Sequence, residues 1–151
     1  MFCSCCKNLP WKKITLAALV FTAISFVFDQ ISAFLTMGYY QDPAYFGVWS
    51  KLMMPGPGAP PLSFFLLSLL FSLVTGKILA IAYYFVKDKL AAKGWPKALD
   101  FTCFIGGLYF VLSFLPSYLI INLPLVLLVS WFASALVVVF LAALIFEKIL
   151  V

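Results

Sequence analysis

The sequence predicts an all-α integral membrane protein, a four-helix transmembrane bundle with a short amphipathic helix between its first and second spans. The chain is 66% hydrophobic and only 10% charged, whereas soluble domains carry about 25% charged residues. Four apolar stretches each exceed the roughly 18–20 residues that a helix needs to cross the hydrocarbon core. All ten basic residues are lysines, and most of them lie at the ends of those stretches. These three observations together predict the fold class.

The four predicted spans cover residues 14–37, 62–86, 99–121 and 125–146 of a single transmembrane domain, 1–151. We expect each span to be a helix, because backbone polar groups in lipid must be satisfied within the segment. An outer loop at 38–61 and a cytoplasmic loop at 87–98 connect them. The first apolar run is too long for a signal peptide and no clear cleavage site follows it, so we expect span one to be retained.

Lysine placement predicts the orientation. The lysines before span one, between spans two and three, and after span four are Lys7, Lys12, Lys13, Lys87, Lys89, Lys93, Lys97 and Lys148. The loop between spans one and two holds only Lys51, and the turn between spans three and four holds none. Because lysines are enriched in cytoplasmic loops, we expect a multi-pass protein of the inner or plasma membrane with both termini in the cytoplasm.

The outer loop contains the signal of a short helix. Asp42 can cap a helix and Pro43 suits the first helical position. Apolar residues then recur at helical spacing, at Tyr45, Val48, Trp49, Leu52 and Met53. We expect an amphipathic helix over 43–54 that lies in the outer interface with Trp49 as its anchor. A substrate lid or a partner-docking surface is the alternative.

Span one carries a stripe of small and polar residues. Its members are Thr15, Ala18, Thr22, Ser25, Asp29, Ser32 and Thr36, spaced alternately by three and four. Such a face turns toward other helices in lipid, since small residues allow close approach and hydroxyls can bond across the contact. We interpret Thr22, Ser25 and Ser32 as a polar packing stripe. A polar conduit or ligand cavity is the other interpretation.

Asp29 and Lys77 are charges deep within predicted spans. A charge at the bilayer centre costs about 2.5–3.5 kcal/mol on insertion scales, so each needs a partner or water. Helical geometry tilts the two side chains toward each other on antiparallel spans, which predicts a buried ion pair. A hydrated or ligand-binding polar site, and snorkelling of Lys77, remain as alternatives.

The cysteines and proline add less. Cys3, Cys5 and Cys6 precede span one, where an incidental tail, lipidation or a soft-metal site are all open. Zinc spacings and histidine are missing, so we expect no metal site and no cofactor. Cys103 is expected to be a small core residue. Pro116 is expected to kink span three near its outer end.

Three stretches carry a resemblance: "KGWPKALDF" at 93–101, "LPSYLIINLPLVLLVSW" at 115–131, and "VWSKLMMPG" in the outer loop. Through them the chain resembles small four-span membrane proteins of bacteria and archaea. The resemblance covers about the last two-thirds of the chain. It implies the four-span fold and a prokaryotic inner membrane, and it implies no activity and no catalytic residues.

These observations favour a non-enzymatic membrane protein, either an accessory or assembly subunit or a small oligomeric scaffold. Its expected partners are the lipid bilayer and either further copies of itself or other subunits of a membrane complex, with no nucleic acid. The first alternative is a small transporter or channel that uses a polar intramembrane site around Asp29 and Lys77. The second is a membrane enzyme acting on a lipid or lipophilic substrate, ranked last because the chain has no arginine to bind an anionic cofactor.

Overall fold

The computed structural model describes residues 9–54, 59–90 and 93–150, and within these ranges the regular structure is helical. Four long helices are apolar enough to cross a membrane, which confirms the all-α class and the four predicted long helices. They are α1 (Trp11–Leu35), α3 (Leu62–Val86), a composite helix (Trp95–Ile120) and α6 (Leu125–Leu150). The composite helix consists of α4 (Trp95–Tyr109), a π-helical turn (Phe110–Phe114) and α5 (Leu115–Ile120). A five-residue helix, α2 (Met37–Gln41), follows α1.

The composite helix begins at Trp95, four residues before the predicted span. Gly94 precedes it with a φ of 76°, a left-handed conformation that glycine adopts without steric cost. Pro96 follows in the first turn, where a missing N–H breaks no helical bond. The polar residues Lys97 and Asp100 made this turn look like loop in the hydropathy pattern. Both lie in the first two turns of the helix, where Asp100 is exposed and Lys97 is buried.

The π-helical turn lies just before Pro116. The N–H of Leu115 donates to the carbonyl of Phe110, five residues earlier instead of four. A wider turn is a common response where a proline ring would clash with the preceding carbonyls. The predicted disturbance of span three at Pro116 therefore takes the form of a π turn.

The long helices do not pack in chain order. α1 lies between α3 and α6, and α6 lies between α1 and α4. α3 contacts α6 over a shorter stretch. The two helices that are central in space, α1 and α6, are therefore the first and last of the long helices in the described part of the chain.

The core lies at the end of the molecule that carries Lys12, Lys87 and Lys148, which we call the lysine-rich end. Each long helix contributes one fully buried large residue there, and these residues are Ile14, Tyr83, Phe101 and Phe146. The Tyr83 ring meets those of Phe101 and Phe146 edge-on, with centroids 5.1 and 5.9 Å apart. Buried alanines let the helices approach around these rings, at positions 17, 18, 80, 98, 142 and 143.

The predicted interfacial helix over 43–54 is not confirmed. Only a single 3-10 turn forms, at Pro43–Tyr45, and hydrogen-bonded turns follow it. The predicted cap at Asp42 does form, because the Asp42 carboxylate accepts from the backbone N–H of Ala44 at 2.9 Å. Gly47 and the short length oppose propagation, since isolated helices below about 12 residues are marginal.

The cysteine predictions have different outcomes. Cys3, Cys5 and Cys6 lie outside the described residues. Cys103 is exposed on α4, so the prediction that it is a core residue is wrong. The reason is that α4 packs on α6, and its buried face carries Ala98, Phe101 and Thr102 instead.

Candidate functional site

A cavity of about 1180 Å³ lies at the end opposite the core, which we call the long-loop end. The second half of α1 and the first half of α3 form its walls, and Trp131 of α6 completes it. Residues between Met37 and Met54, together with Ala59 and Pro60, line it on the loop side. Apolar side chains supply most of the lining, and the aromatic and thioether ones include Phe26, Phe34, Phe64, Phe65, Met53 and Met54. Its polar members are Asp29, Gln30, Ser32, Tyr40, Gln41, Ser68 and Ser72. We call this space the long-loop cavity.

The register of α1 against α3 explains where the cavity begins. A Cβ on Gly76 would lie 2.9 Å from Cδ1 of Phe21 and 3.0 Å from the carbonyl oxygen of Ala18. The two backbones therefore touch at Gly76, as small residues permit in helix pairs. One and two turns toward the long-loop end, α3 presents Ser72 and Ser68 to the cavity instead. The close contact is thus the floor above which the space between the helices opens.

Asp29 belongs to the cavity wall. The hydroxyl of Ser25, one turn earlier on α1, donates to Oδ2 of Asp29 at 3.2 Å. A carboxylate has about four acceptor positions, so this single bond leaves most of them available. Asp29, the acidic residue of the predicted polar site, therefore lines a cavity whose walls include aromatic side chains.

Lys77 lies outside the cavity lining, and no ion pair joins it to Asp29 in the described part of the chain. Its neighbour Gly76 is level with Ala18 and Phe21. Asp29 is eight to eleven residues further along α1, which is about 12–16 Å at 1.5 Å per residue. The register therefore places Lys77 deeper than the sequence analysis assumed. The ion pair and the polar site at Asp29 both stay predictions.

The hydroxyls of the α1 polar stripe bond within the chain segment that carries them, and the packing role of the stripe stays a prediction. The hydroxyl of Thr22 donates to the carbonyl of Ala18 at 2.9 Å, and that of Thr36 donates to the carbonyl of Ser32 at 2.7 Å. Ser25 donates to Asp29 on the same helix. These hydroxyls therefore satisfy themselves within α1, a common habit of serine and threonine in helices. Close approach occurs at Ala18, and Ser32 lines the cavity.

An aromatic cluster holds the loop against α6. Nε1 of Trp131 donates to the hydroxyl of Tyr40 at 3.0 Å. The rings of Tyr40 and Trp49 lie 4.8 Å apart, and those of Trp49 and Trp131 lie 6.3 Å apart. The predicted anchor Trp49 thus packs inside the protein, half-buried, while its position relative to a membrane stays a prediction. We call Tyr40, Trp49 and Trp131 the aromatic latch.

A second set of contacts closes the lysine-rich end. Both carboxylate oxygens of Glu147 accept from the backbone N–H of Gly94, at 2.9 and 3.1 Å. Nζ of Lys87 donates to the carbonyl oxygen of Leu150 at 3.0 Å and lies 4.6 Å from the centre of the Tyr84 ring. These contacts fasten both sides of the loop between α3 and α4 to the end of α6.

Sequence reasoning missed both the latch and the Glu147 contact. The sequence held a signal for this contact. Glu147 is an isolated carboxylate at the end of an apolar helix, and Gly94 directly precedes the "WP" that starts another helix. Tyr40 and Trp131 carried no comparable signal. Aromatic residues near both ends of a span are expected in any membrane protein.

A smaller apolar groove of about 590 Å³ runs along the outside of α4 and α6. Small residues of α4 form its base, and they are Thr102, Cys103, Gly106 and Gly107. Phe110, Phe132 and Phe140 form its sides. A groove of this shape is where another helix or a lipid chain can approach the backbone closely.

Comparison of the chain with protein-family models, curated proteins and solved structures finds no match.

Proposed function

We propose that the protein is a multi-pass membrane protein, folded as a four-helix bundle, that binds an amphipathic small molecule in the long-loop cavity. The observation that carries the proposal is the cavity itself: aromatic and thioether walls, a few polar groups that include Asp29, and a floor sealed by the Ala18–Gly76 contact. Small-molecule sites typically have about 300–1,000 Å³, apolar walls and a few polar groups that set the orientation. The cavity fits that description and is slightly larger, which suits a ligand with a long apolar part.

The lysine distribution supports an orientation for this site. If the lysine-rich end faces the cytoplasm of a cell membrane, the cavity lies in the outer half of the bilayer. A ligand then reaches it from the outer leaflet or the outer aqueous phase. A binding protein, or a carrier in its outward-open state, would have this form.

A photoreactive amphiphile tests the proposal. A long-chain alcohol that bears a diazirine is added to membranes holding the protein, and labelled peptides are identified by mass spectrometry. We expect labels to concentrate on α1 and α3 residues that line the cavity. Ser68→Trp, which fills the cavity, should abolish them, whereas Leu70→Trp on the exposed face of α3 should not. Even labelling of all lipid-facing helices, unchanged by Ser68→Trp, would count against the site.

Assembly as a subunit or oligomeric scaffold is the second candidate, and the groove on α4 and α6 favours it. Among the long helices α4 packs mainly on α6, and its glycines and Cys103 lie at the groove. A variant with Cys3, Cys5 and Cys6 replaced by serine retains Cys103 as its single thiol. A bifunctional thiol reagent should then link copies in the membrane, and Gly107→Leu should prevent the link. A monomer at every protein-to-lipid ratio would argue against self-assembly.

A further inference from the structure

We infer that the ligand of the long-loop cavity is a lipophilic organic cation and that Asp29 supplies its counter-charge. The inference rests on the proposed function and deepens it by naming the ligand class. Asp29 is the one charged side chain among the described residues that line the cavity. The charged residues of the neighbouring loop, Asp42 and Lys51, are not part of the lining.

The immediate surroundings of Asp29 leave its charge uncompensated. Its hydrogen bond comes from a neutral hydroxyl, that of Ser25. Lys77, the cation that the sequence analysis paired with it, is not part of the cavity lining, and its neighbour Gly76 lies level with Ala18 and Phe21, far from Asp29 along α1. A carboxylate against apolar walls is costly unless a positive group joins it or it takes up a proton. A cationic ligand would supply the positive charge that Asp29 lacks in these surroundings.

The walls define what kind of cation fits. Phe26, Phe64 and Phe65 lie on the same two helices as Asp29 and Ser68, and aromatic faces attract organic cations. Met53 and Met54 add polarisable thioethers on the loop side. Calcium and magnesium require about six or more oxygen ligands, whereas this lining is mainly carbon. The site therefore suits a bulky cation with diffuse charge, which loses little hydration on entering.

Three probes of similar shape but different charge show how much the charge of a ligand contributes to its binding. They are tetraphenylphosphonium, the neutral triphenylphosphine oxide and the anion tetraphenylborate, each used to displace the photoreactive alcohol from the wild-type protein. We expect the cation to bind at least about tenfold more tightly than the neutral probe, and the anion to be the weakest. This comparison needs no variant, so it stands even if a change at Asp29 impairs folding.

The variant Asp29→Asn keeps the shape of the side chain and its ability to accept from Ser25. It should reduce tetraphenylphosphonium affinity by about tenfold or more and leave the neutral probe unchanged. Asp88→Asn, at an exposed position beyond the end of α3, is the matched control and should alter neither. Equal binding of cation and neutral probe to the wild-type protein, or equal cation binding to Asp29→Asn, would overturn the inference and leave the amphiphile site intact. Failure of every probe, together with labelling insensitive to Ser68→Trp, would overturn the proposed function itself.

Discussion

At the lysine-rich end Ile14, Tyr83, Phe101 and Phe146 are completely enclosed, whereas at the long-loop end α1, α3 and Trp131 of α6 line a cavity of about 1180 Å³. The difference follows the size of the side chains at the helix contacts. Alanines and Gly76 bring the backbones together around a few large rings at the closed end. At the other end Phe26, Phe64 and Phe65 line the space between α1 and α3. α1 and α3 thus touch where Ala18 meets Gly76 and diverge where large aromatic rings line the space between them.

The largest expected effect is the loss of the ring that joins three helices at the closed end. Tyr83→Ala should leave a void between Phe101 and Phe146. Removing a buried aromatic ring costs about 3–5 kcal/mol in protein cores. Thermal unfolding in a mild detergent would measure it. Phe85→Ala, at an exposed position two residues away, is the control and should change the melting temperature little. An equal fall in melting temperature for both variants would mean that the buried Tyr83 ring adds no more stability than an exposed one.

The contact between Glu147 and Gly94 should come next. Glu147→Ala leaves the backbone N–H of Gly94 without its acceptor, and hydrogen bonds to charged groups contribute about 1.5–3 kcal/mol. The loop between α3 and α4 should become more sensitive to proteases and its amides should exchange faster. Lys148→Ala, on the exposed side of the same turn, should not have this effect. Unchanged exchange at Gly94 would show that the contact does not hold the loop.

Closing the gap at Gly76 tests the floor of the cavity. Gly76→Ala places a methyl group about 3 Å from the backbone of Ala18, which cannot move aside as a side-chain tip can. Overpacking of this kind costs about 1–3 kcal/mol. Gly107→Ala is the matched control, because a Cβ there meets nothing within 4 Å. Melting temperatures that fall equally in both variants would point to a general intolerance of alanine and not to the contact.

The smallest expected effect concerns the aromatic latch. Tyr40→Phe removes the acceptor of the Trp131 N–H but keeps the ring that packs on Trp49. The loss of the hydrogen bond should lower stability by about 0.5–1.5 kcal/mol, mainly at the long-loop end. A cysteine introduced at Met54 should react faster with a water-soluble thiol reagent in this background. Tyr39→Phe is the control. If the introduced cysteine reacts at the same rate in both variants, the aromatic latch does not limit access to the cavity.

Hydropathy and lysine placement predicted the helices well, because length and apolarity decide what can cross a bilayer. The start of α3 was predicted to the residue, since Pro61 marks it. The cavity was less predictable. Periodicity placed Asp29 on an interior face of α1 but could not show the register of α1 against α3, which the contact of Gly76 with Ala18 and Phe21 reveals. The latch depends on Tyr40 and Trp131 meeting across ninety-one positions of sequence, for which no local pattern exists.

The packing order of the long helices has a consequence for biosynthesis. α1 is synthesised before α3 and α4, and α6 is synthesised after them, yet α1 and α6 are the central helices of the described structure. α1 can pair with α3 early, but the face that packs on α6 stays uncovered until α6 has been made. A chain that terminates before residue 125 would therefore leave the α6-facing sides of both α1 and α4 without their partner. The contacts that join α1 to α4 through α6 form only once α6 has been synthesised.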